Sequence, residues 1–133
     1  MNKLIIALAL LVSQISFAST QEEFKLIHVK DLASMVADKS ANVAIYDCNS
    51  NDTRKEDGVI PGAKLLSSSK HYDVSKMLPA DKETNLVFYC ANTACMASHA
   101  AAERATQAGY KNVAVMAEGI QGWKKAGQAT AKP

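Results

Sequence analysis

The chain has 133 residues, 48% of them hydrophobic, with a formal net charge of +2 and three cysteines. That length suits one domain around a single apolar core. The near-neutral balance excludes the basic footprint of a nucleic-acid or anionic-membrane binder, and three cysteines are too few for a disulfide scaffold.

Taken in order, the chain opens with "MNKLIIALALLVSQISFAST": Lys3, an apolar run from Leu4 to Val12, then small residues at Ser16 and Ala18. This is the layout of a signal peptide over residues 1–18, cleaved after Ala18. It precedes one domain over residues 19–133, with its core at about 24–127. The apolar run of about nine residues falls short of the roughly 20 that a spanning helix needs. The expectation is a periplasmic or secreted protein with no stable membrane association after cleavage. Disulfides persist in such compartments, and an odd cysteine count there flags a thiol that is free, shared between chains or reactive.

Phe24–Val29 reads as a strand. Asp31 can cap a helix to Ala37, with Leu32, Met35 and Val36 on one face. Asn42–Asp47 is a short apolar run suited to a buried strand, and the charged stretch Cys48–Gly58 reads as a loop or a single helical turn. The Pro61-Gly62 turn leads into a short strand, and Asp73 can cap a short helix before Leu78. "NLVFYC", Asn85–Cys90, is the strongest strand signal. The alanine-rich stretch Met96–Ala108 predicts a helix stopped by Gly109. Lys111–Met116 predicts another strand, and "EGIQGWKKAG" a closing helix ending near Gly127, with a polar, frayed tail to Pro133. Strands that alternate with helices predict an α/β fold: a mostly parallel sheet of four or five strands with helices on both faces. Chemistry in such sheets sits at the carboxyl ends of strands, which here are Asp47–Cys48 and Tyr89–Cys90.

In "YCANTACMASHAAA" the chain leaves a strand at Cys90 and enters a helix near Cys95 or Met96. The first turn of a helix has backbone N–H groups without intrahelical partners, and a sulfur held over them is favoured as the nucleophilic thiolate. Cys90 is therefore the candidate nucleophile, with Ala91, Asn92, Thr93, Ala94, Cys95 and Met96 as the loop that would hold an anion formed on it. Position alone serves equally well for an inert, buried strand-end cysteine.

At these residues the chain resembles the single-domain rhodanese-like family. "AIYDCNSNDTRKEDGVIPGAKLL" is similar to that family's strand ending in Asp-Val-Arg followed by a charged segment and a Gly-His-Ile-Pro-Gly-Ala turn, with Asp47, Gly58, Ile60, Pro61, Gly62 and Ala63 matching. "LVFYC" matches the strand that bears the catalytic cysteine. "AAERATQAGYKNVAVMAEGIQGW" matches the following helix, the Gly-Tyr-x-Asn-Val strand and the closing Gly-x-x-x-Trp. The resemblance implies the three-layer rhodanese-like fold and a sulfurtransferase in which Cys90 carries sulfane sulfur as a persulfide. It implies a small sulfane-sulfur donor, a thiol or cyanide acceptor and no cofactor, and it leaves room for a thiol protein partner. Two half-reactions through a covalent intermediate predict ping-pong kinetics.

The departures are specific. No basic residue lies between Cys90 and Ala102, Cys95 stands where the family usually has Arg, and Met96 where Ser is usual. A thiosulfate dianion is thus poorly matched, unless Arg54, Lys64 or Lys70 supplies charge from a neighbouring loop. Relatives that handle phosphate or arsenate have Cys, five residues, then Arg; Met96 occupies that position. With no glycine in the loop, Asn92 is the residue best suited to a positive φ. Cys95 can be a resolving thiol that attacks the Cys90 persulfide or closes a disulfide with Cys90. Cys48 can pair with either. Asp47 is expected to orient the active-site loop through backbone hydrogen bonds. Two other readings stand beside the enzyme: a catalytically silent redox-sensing or binding module using a Cys90–Cys95 disulfide, and a metal site of Cys90, Cys95 and His99, the last two sharing a helix face. His28 and His71 receive no role, and Tyr110 and Trp123 read as packing residues.

Overall fold

The structure is a computed structural model that describes residues 24–133; the expected signal peptide lies outside the described residues. Five strands alternate with five helices. They are β1 (Lys25–Ile27), α1 (Val29–Ala37), β2 (Val43–Asp47), α2 (Asn51–Asp57), β3 (Lys64–Leu65), α3 (Val74–Met77), β4 (Asn85–Tyr89), α4 (Ala97–Gln107), β5 (Asn112–Met116) and α5 (Gly119–Lys125). The strands form one parallel sheet in the order β1-β5-β4-β2-β3.

The period-two alternation of side chains divides the core into two halves. Leu86, Phe88 and Cys90 point to one face with Tyr46, Cys48, Val113 and Val115, under α3 and α4. Val87 and Tyr89 point to the other with Ile45, Ala114 and Met116, under α1 and α5. Central strands buried on both faces carry continuous apolar runs, which is why "NLVFY" and "NVAVM" stand out in the sequence. Tyr46 and Phe88 are register partners across β2 and β4, and their rings stack at 5.0 Å. On α4, Ser98, Ala101, Ala102 and Ala105 make the buried stripe, and their small size lets the helix lie close on the sheet.

Four local expectations change. His28 rather than Asp31 is the N-cap of α1; Asp31 sits at the third helical position and accepts the His28 backbone N–H in a capping box. Val36 is exposed, and Val29 with Leu32 makes the buried face. The stretch after Cys48 contains a two-turn helix, α2, because Ser50 caps it through Thr53 N–H and Arg54 anchors it inward. The tail is pinned rather than frayed. Val59 and Ala131 exchange backbone hydrogen bonds of 2.9 and 2.8 Å, and Trp123 Nε1 donates to Ala129 O at 2.8 Å.

Candidate functional site

Cys90 is the first residue beyond β4 and, by alternation, faces α4 with only 1% of its surface exposed. Its sulfur is joined to Cys95 in a disulfide across a Cα separation of 6.3 Å, inside the range such bridges need. The Ser98 hydroxyl lies 3.3 Å from the Cys90 sulfur. A disulfide sulfur carries no proton, so the serine is the donor. The Cys95 carbonyl is also 3.3 Å away.

The loop that brings the cysteines together is a tight turn. Cys95 N–H donates to Asn92 O at 3.1 Å, and Ala94 N–H donates to Asn92 Oδ1 at 3.0 Å, an Asx-type arrangement. Asn92 Nδ2 reaches across to Gln121 Oε1 at 3.2 Å. Of the amides expected to form a cradle over Ala91–Met96, two have partners within this turn. The Ala94 and Cys95 amides are engaged by Asn92, and the groups at hydrogen-bond distance from the Cys90 sulfur are the Ser98 hydroxyl and the Cys95 carbonyl. Asn92 does not take a positive φ either; among the described residues only glycines do. Its side chain closes the turn, so a left-handed residue is not required. Thr93, Ala94 and Met96 are exposed, and α4 begins at Ala97 after the uncapped Met96.

The other end of the loop is held by α5. Ile120 N–H donates to Cys90 O at 2.8 Å and Gln121 N–H to Ala91 O at 3.0 Å. The approach is close enough that a Cβ on Gly119 would fall 2.5 Å from Ala91 C and 2.6 Å from Cys90 O, at a φ of +66°. Just ahead of it, Glu118 clasps α1, accepting from Val29 N–H at 2.9 Å and meeting His28 Nδ1 at 2.6 Å. The His28 contact, first among the causes, lowers the Glu118 pKa.

Asp47 ends β2 and Cys48 follows it beside Cys90, with Cys48 N–H donating to Tyr89 O at 2.9 Å. Asp47 is fully buried. Its carboxylate accepts Asn49 N–H at 2.8 Å, Arg54 Nε at 3.0 Å and the Tyr89 hydroxyl at 2.6 Å. Arg54, itself 5% exposed, also donates to the carbonyls of Asp47 and Leu66. The Tyr89 oxygen in turn accepts Ile60 N–H at 3.0 Å. Asp47 therefore organises the β2–β3 segment through one backbone amide and two side chains. Arg54 is committed to it and does not supply charge to the cysteine loop. Cys48 is a free, buried thiol, so neither of its expected disulfides forms. Burial first, then the Asp47 charge, pushes its pKa up to about 12.

The metal reading is also corrected. The Cys90 and Cys95 sulfurs are bonded to each other, and the His99 ring packs edge-on against Phe24 at 5.5 Å. No group of three metal-ligating side chains assembles among the described residues. A groove of about 380 Å³ between α1 and the β2–β3 edge, lined by Met35, Lys39, Ile45, Pro61 and Lys64 among others, contains none of these cysteines. No helix among the described residues is long and apolar enough to cross a membrane.

Ser98 has no place in the sequence expectations, and Gly119 stands in them only as the glycine of the closing Gly-x-x-x-Trp motif, with no role at the cysteine loop. Ser98 did leave a trace: it is the polar residue that opens the buried stripe continued by Ala101, Ala102 and Ala105, at the end nearest the cysteine.

Comparison with known proteins gives the same outline. The BH2092 protein from Bacillus halodurans superposes with a TM-score of 0.70 at 21% identity, covering 81% of this chain and 77% of that one. RPA3614 from Rhodopseudomonas palustris, a protein of unknown function described as a possible tyrosine phosphatase, gives 0.65 at 25% identity over 81% and 85%. The polysulfide-sulfur transferase homodimer from Wolinella succinogenes gives 0.66 at 18% identity over 85% and 82%. Among curated proteins, none matches the sequence. The family described as Rhodanese-like domain matches residues 28–126, from the cap of α1 to the end of α5. With that span and this sheet order, the chain belongs to the rhodanese-like domain family.

Proposed function

We propose that the reduced domain is a sulfurtransferase that carries sulfane sulfur as a persulfide on Cys90 and passes it to a thiol or cyanide acceptor. One observation carries this reading: in a chain of this family, Cys90 sits at the carboxyl end of a central strand with a buried serine hydroxyl on its sulfur. Once the disulfide is reduced, the Ser98 hydroxyl can donate to the thiolate, and a hydrogen bond to an ionised acceptor is roughly twice as strong as a neutral one. The thiolate attacks the terminal sulfane sulfur of the donor. A new S–S bond forms on Cys90, and the donor's sulfur–sulfur bond breaks to release a thiolate. An acceptor thiolate or cyanide then takes the outer sulfur and returns Cys90 to its thiolate form.

The donor class follows from charge. The loop from Cys90 to Ala102 has no basic residue, and Arg54 is held by Asp47. A persulfide or polysulfide with at most one charge near the reacting sulfur suits this environment better than thiosulfate. The signal-like residues 1–18 support an exported location, where a cysteine pair is held oxidised between turnovers.

Turnover decides the matter. Reduced protein carrying Cys95→Ser, in which no neighbouring thiol competes for the sulfur, should transfer sulfur from a persulfide donor to cyanide, and adding Cys90→Ala should reduce the rate to the uncatalysed background. A Cys90→Ala variant as active as its Cys95→Ser parent would overturn the proposal.

A further inference from the structure

We infer that Cys95 is itself the first acceptor of the sulfur carried by Cys90, so that the domain reduces sulfane sulfur to hydrosulfide and is reset by a dithiol reductant. The inference rests on the persulfide reading above and adds the fate of the sulfur and the class of partner.

The two cysteines already meet in the fold. The Asn92 turn holds their Cα atoms 6.3 Å apart and their sulfurs are bonded. A persulfide formed on Cys90 therefore carries its inner sulfur within reach of Cys95, ahead of any acceptor from solution, because proximity replaces an encounter. Cys48, the other thiol at this strand end, is a weaker competitor. It is buried and protonated at neutral pH, and the thiolate is the attacking form.

The chemistry balances without a cofactor. Cys90 thiolate takes the terminal sulfur from a persulfide R–S–SH and releases R–S⁻. Cys95, having lost its proton to solvent, attacks the Cys90 sulfur. The Cys90–Cys95 bond forms, the bond to the outer sulfur breaks, and that sulfur leaves as hydrosulfide. The donor's sulfane sulfur is reduced and the cysteine pair is oxidised. In sum, one persulfide and two protein thiols become one thiol, one hydrogen sulfide and the observed disulfide.

Resetting the site requires two electrons from a dithiol. In the disulfide form, exposure fixes the point of entry. Cys90 is 1% exposed while Cys95 is only half-buried, at the foot of a loop whose Thr93, Ala94 and Met96 are open to solvent. The reductant's thiolate attacks Cys95, forming a mixed disulfide there and expelling Cys90 as a thiolate onto the Ser98 hydroxyl. Its second thiol then releases Cys95 and closes the reductant's own disulfide.

The test uses the full chain, reduced and desalted, mixed with one equivalent of glutathione persulfide and no other acceptor. The parent should release about one hydrosulfide per chain above the protein-free background, the stoichiometry of a single-turnover dithiol reaction. Its intact mass should end two hydrogens below that of the reduced chain. Cys95→Ser and, as a check on folding, Cys95→Ala should instead keep the mass of one added sulfur and release no hydrosulfide above background. If the parent also keeps the added sulfur and releases none, or if the adduct moves to Cys95 with Cys90 left as a thiol, the inference is overturned while Cys90 loading stands. If neither Cys95 variant gains sulfur, the persulfide reading itself fails.

Discussion

Asp47 is a carboxylate cut off from water, and three donors stand where water would be. A buried charge that loses its counter-ion has no solvent to fall back on. Arg54→Ala should therefore destabilise the domain by about 3–5 kcal/mol, the usual cost of breaking such a pair from one side. Tyr89→Phe removes one hydroxyl that both donates to Asp47 and accepts from Ile60 N–H. The expected loss is about 1–3 kcal/mol, since buried partners go unsatisfied. Urea unfolding of the two variants should rank them in that order, and equal stability to the parent would mean that the network contributes nothing. Sequence reading found Asp47 as a strand end facing the site. It did not find Arg54 as its partner, because the seven-residue reach back to Asp47 exists only once α2 has formed and turned that side chain inward. Nor could it choose between Cys48 and Cys95 as the partner of Cys90. Both lie close by, one across the sheet and one around the loop, and only the Asn92 turn favours the second.

At the scale of elements, the site is the junction of β4, its loop, α4 and the start of α5. Gly119 is the tightest point of that junction. Gly119→Ala would combine a strained left-handed backbone with a clash against Cys90 and Ala91 main-chain atoms that no side-chain rotation relieves. We expect a loss of about 3 kcal/mol, from a backbone penalty of 1–2 kcal/mol plus the displacement of the loop. Sulfur transfer should fall as well, because the displaced carbonyls belong to the cysteine loop. Gly62→Ala is the control. Its φ of +82° is similarly left-handed, but nothing lies within 4 Å of the added carbon, so only the backbone cost of about 1–2 kcal/mol applies. Thermal unfolding and cyanide assays of both variants check this, and equal effects on activity would remove Gly119 as a loop-positioning residue. The apolar strands and the alanine-rich helix were legible because burial on two faces, or against a flat sheet, writes itself into residue type. α2 was not, since "NDTRKED" is polar on nearly every side and its one inward residue is charged. The loop was half legible. Its small residues do make a tight turn, but Asn92 takes two of the amides expected to face the sulfur, Ala94 N–H on its side chain and Cys95 N–H on its carbonyl.

Across the whole molecule, three tyrosine hydroxyls and the spare thiol sit in places where ionisation is costly. Burial is the first cause for all four groups. Cys48 rises from its ordinary 9.0 to about 12, Tyr46 from 10.0 to about 12, and Tyr72 and Tyr89 rise further. The unfolded chain surrenders these protons first, from about pH 9 for the thiol and about pH 10 for the tyrosines. Through that window the unfolded state binds fewer protons than the folded one, so stability falls as pH rises. It is fully present below pH 9. Unfolding midpoints should decline from about pH 9 upward, and Cys48→Ala should delay the onset; a flat profile to pH 11 would contradict the buried, protonated assignment. The topology was readable because alternating strand and helix signals admit few arrangements once crossovers are parallel. The pinned tail was not, because the contact that anchors it, Val59 with Ala131, joins residues far apart in sequence.

All of this turns on sulfur residing on Cys90. The most direct measurement treats reduced Cys95→Ser protein with a persulfide whose outer sulfur is isotopically labelled, followed by acid quench and peptide mapping. The account predicts one labelled sulfur on the peptide bearing Cys90, removed by cyanide as labelled thiocyanate. Label on Cys48, or an unlabelled Cys90 peptide after exposure to the donor, would contradict it.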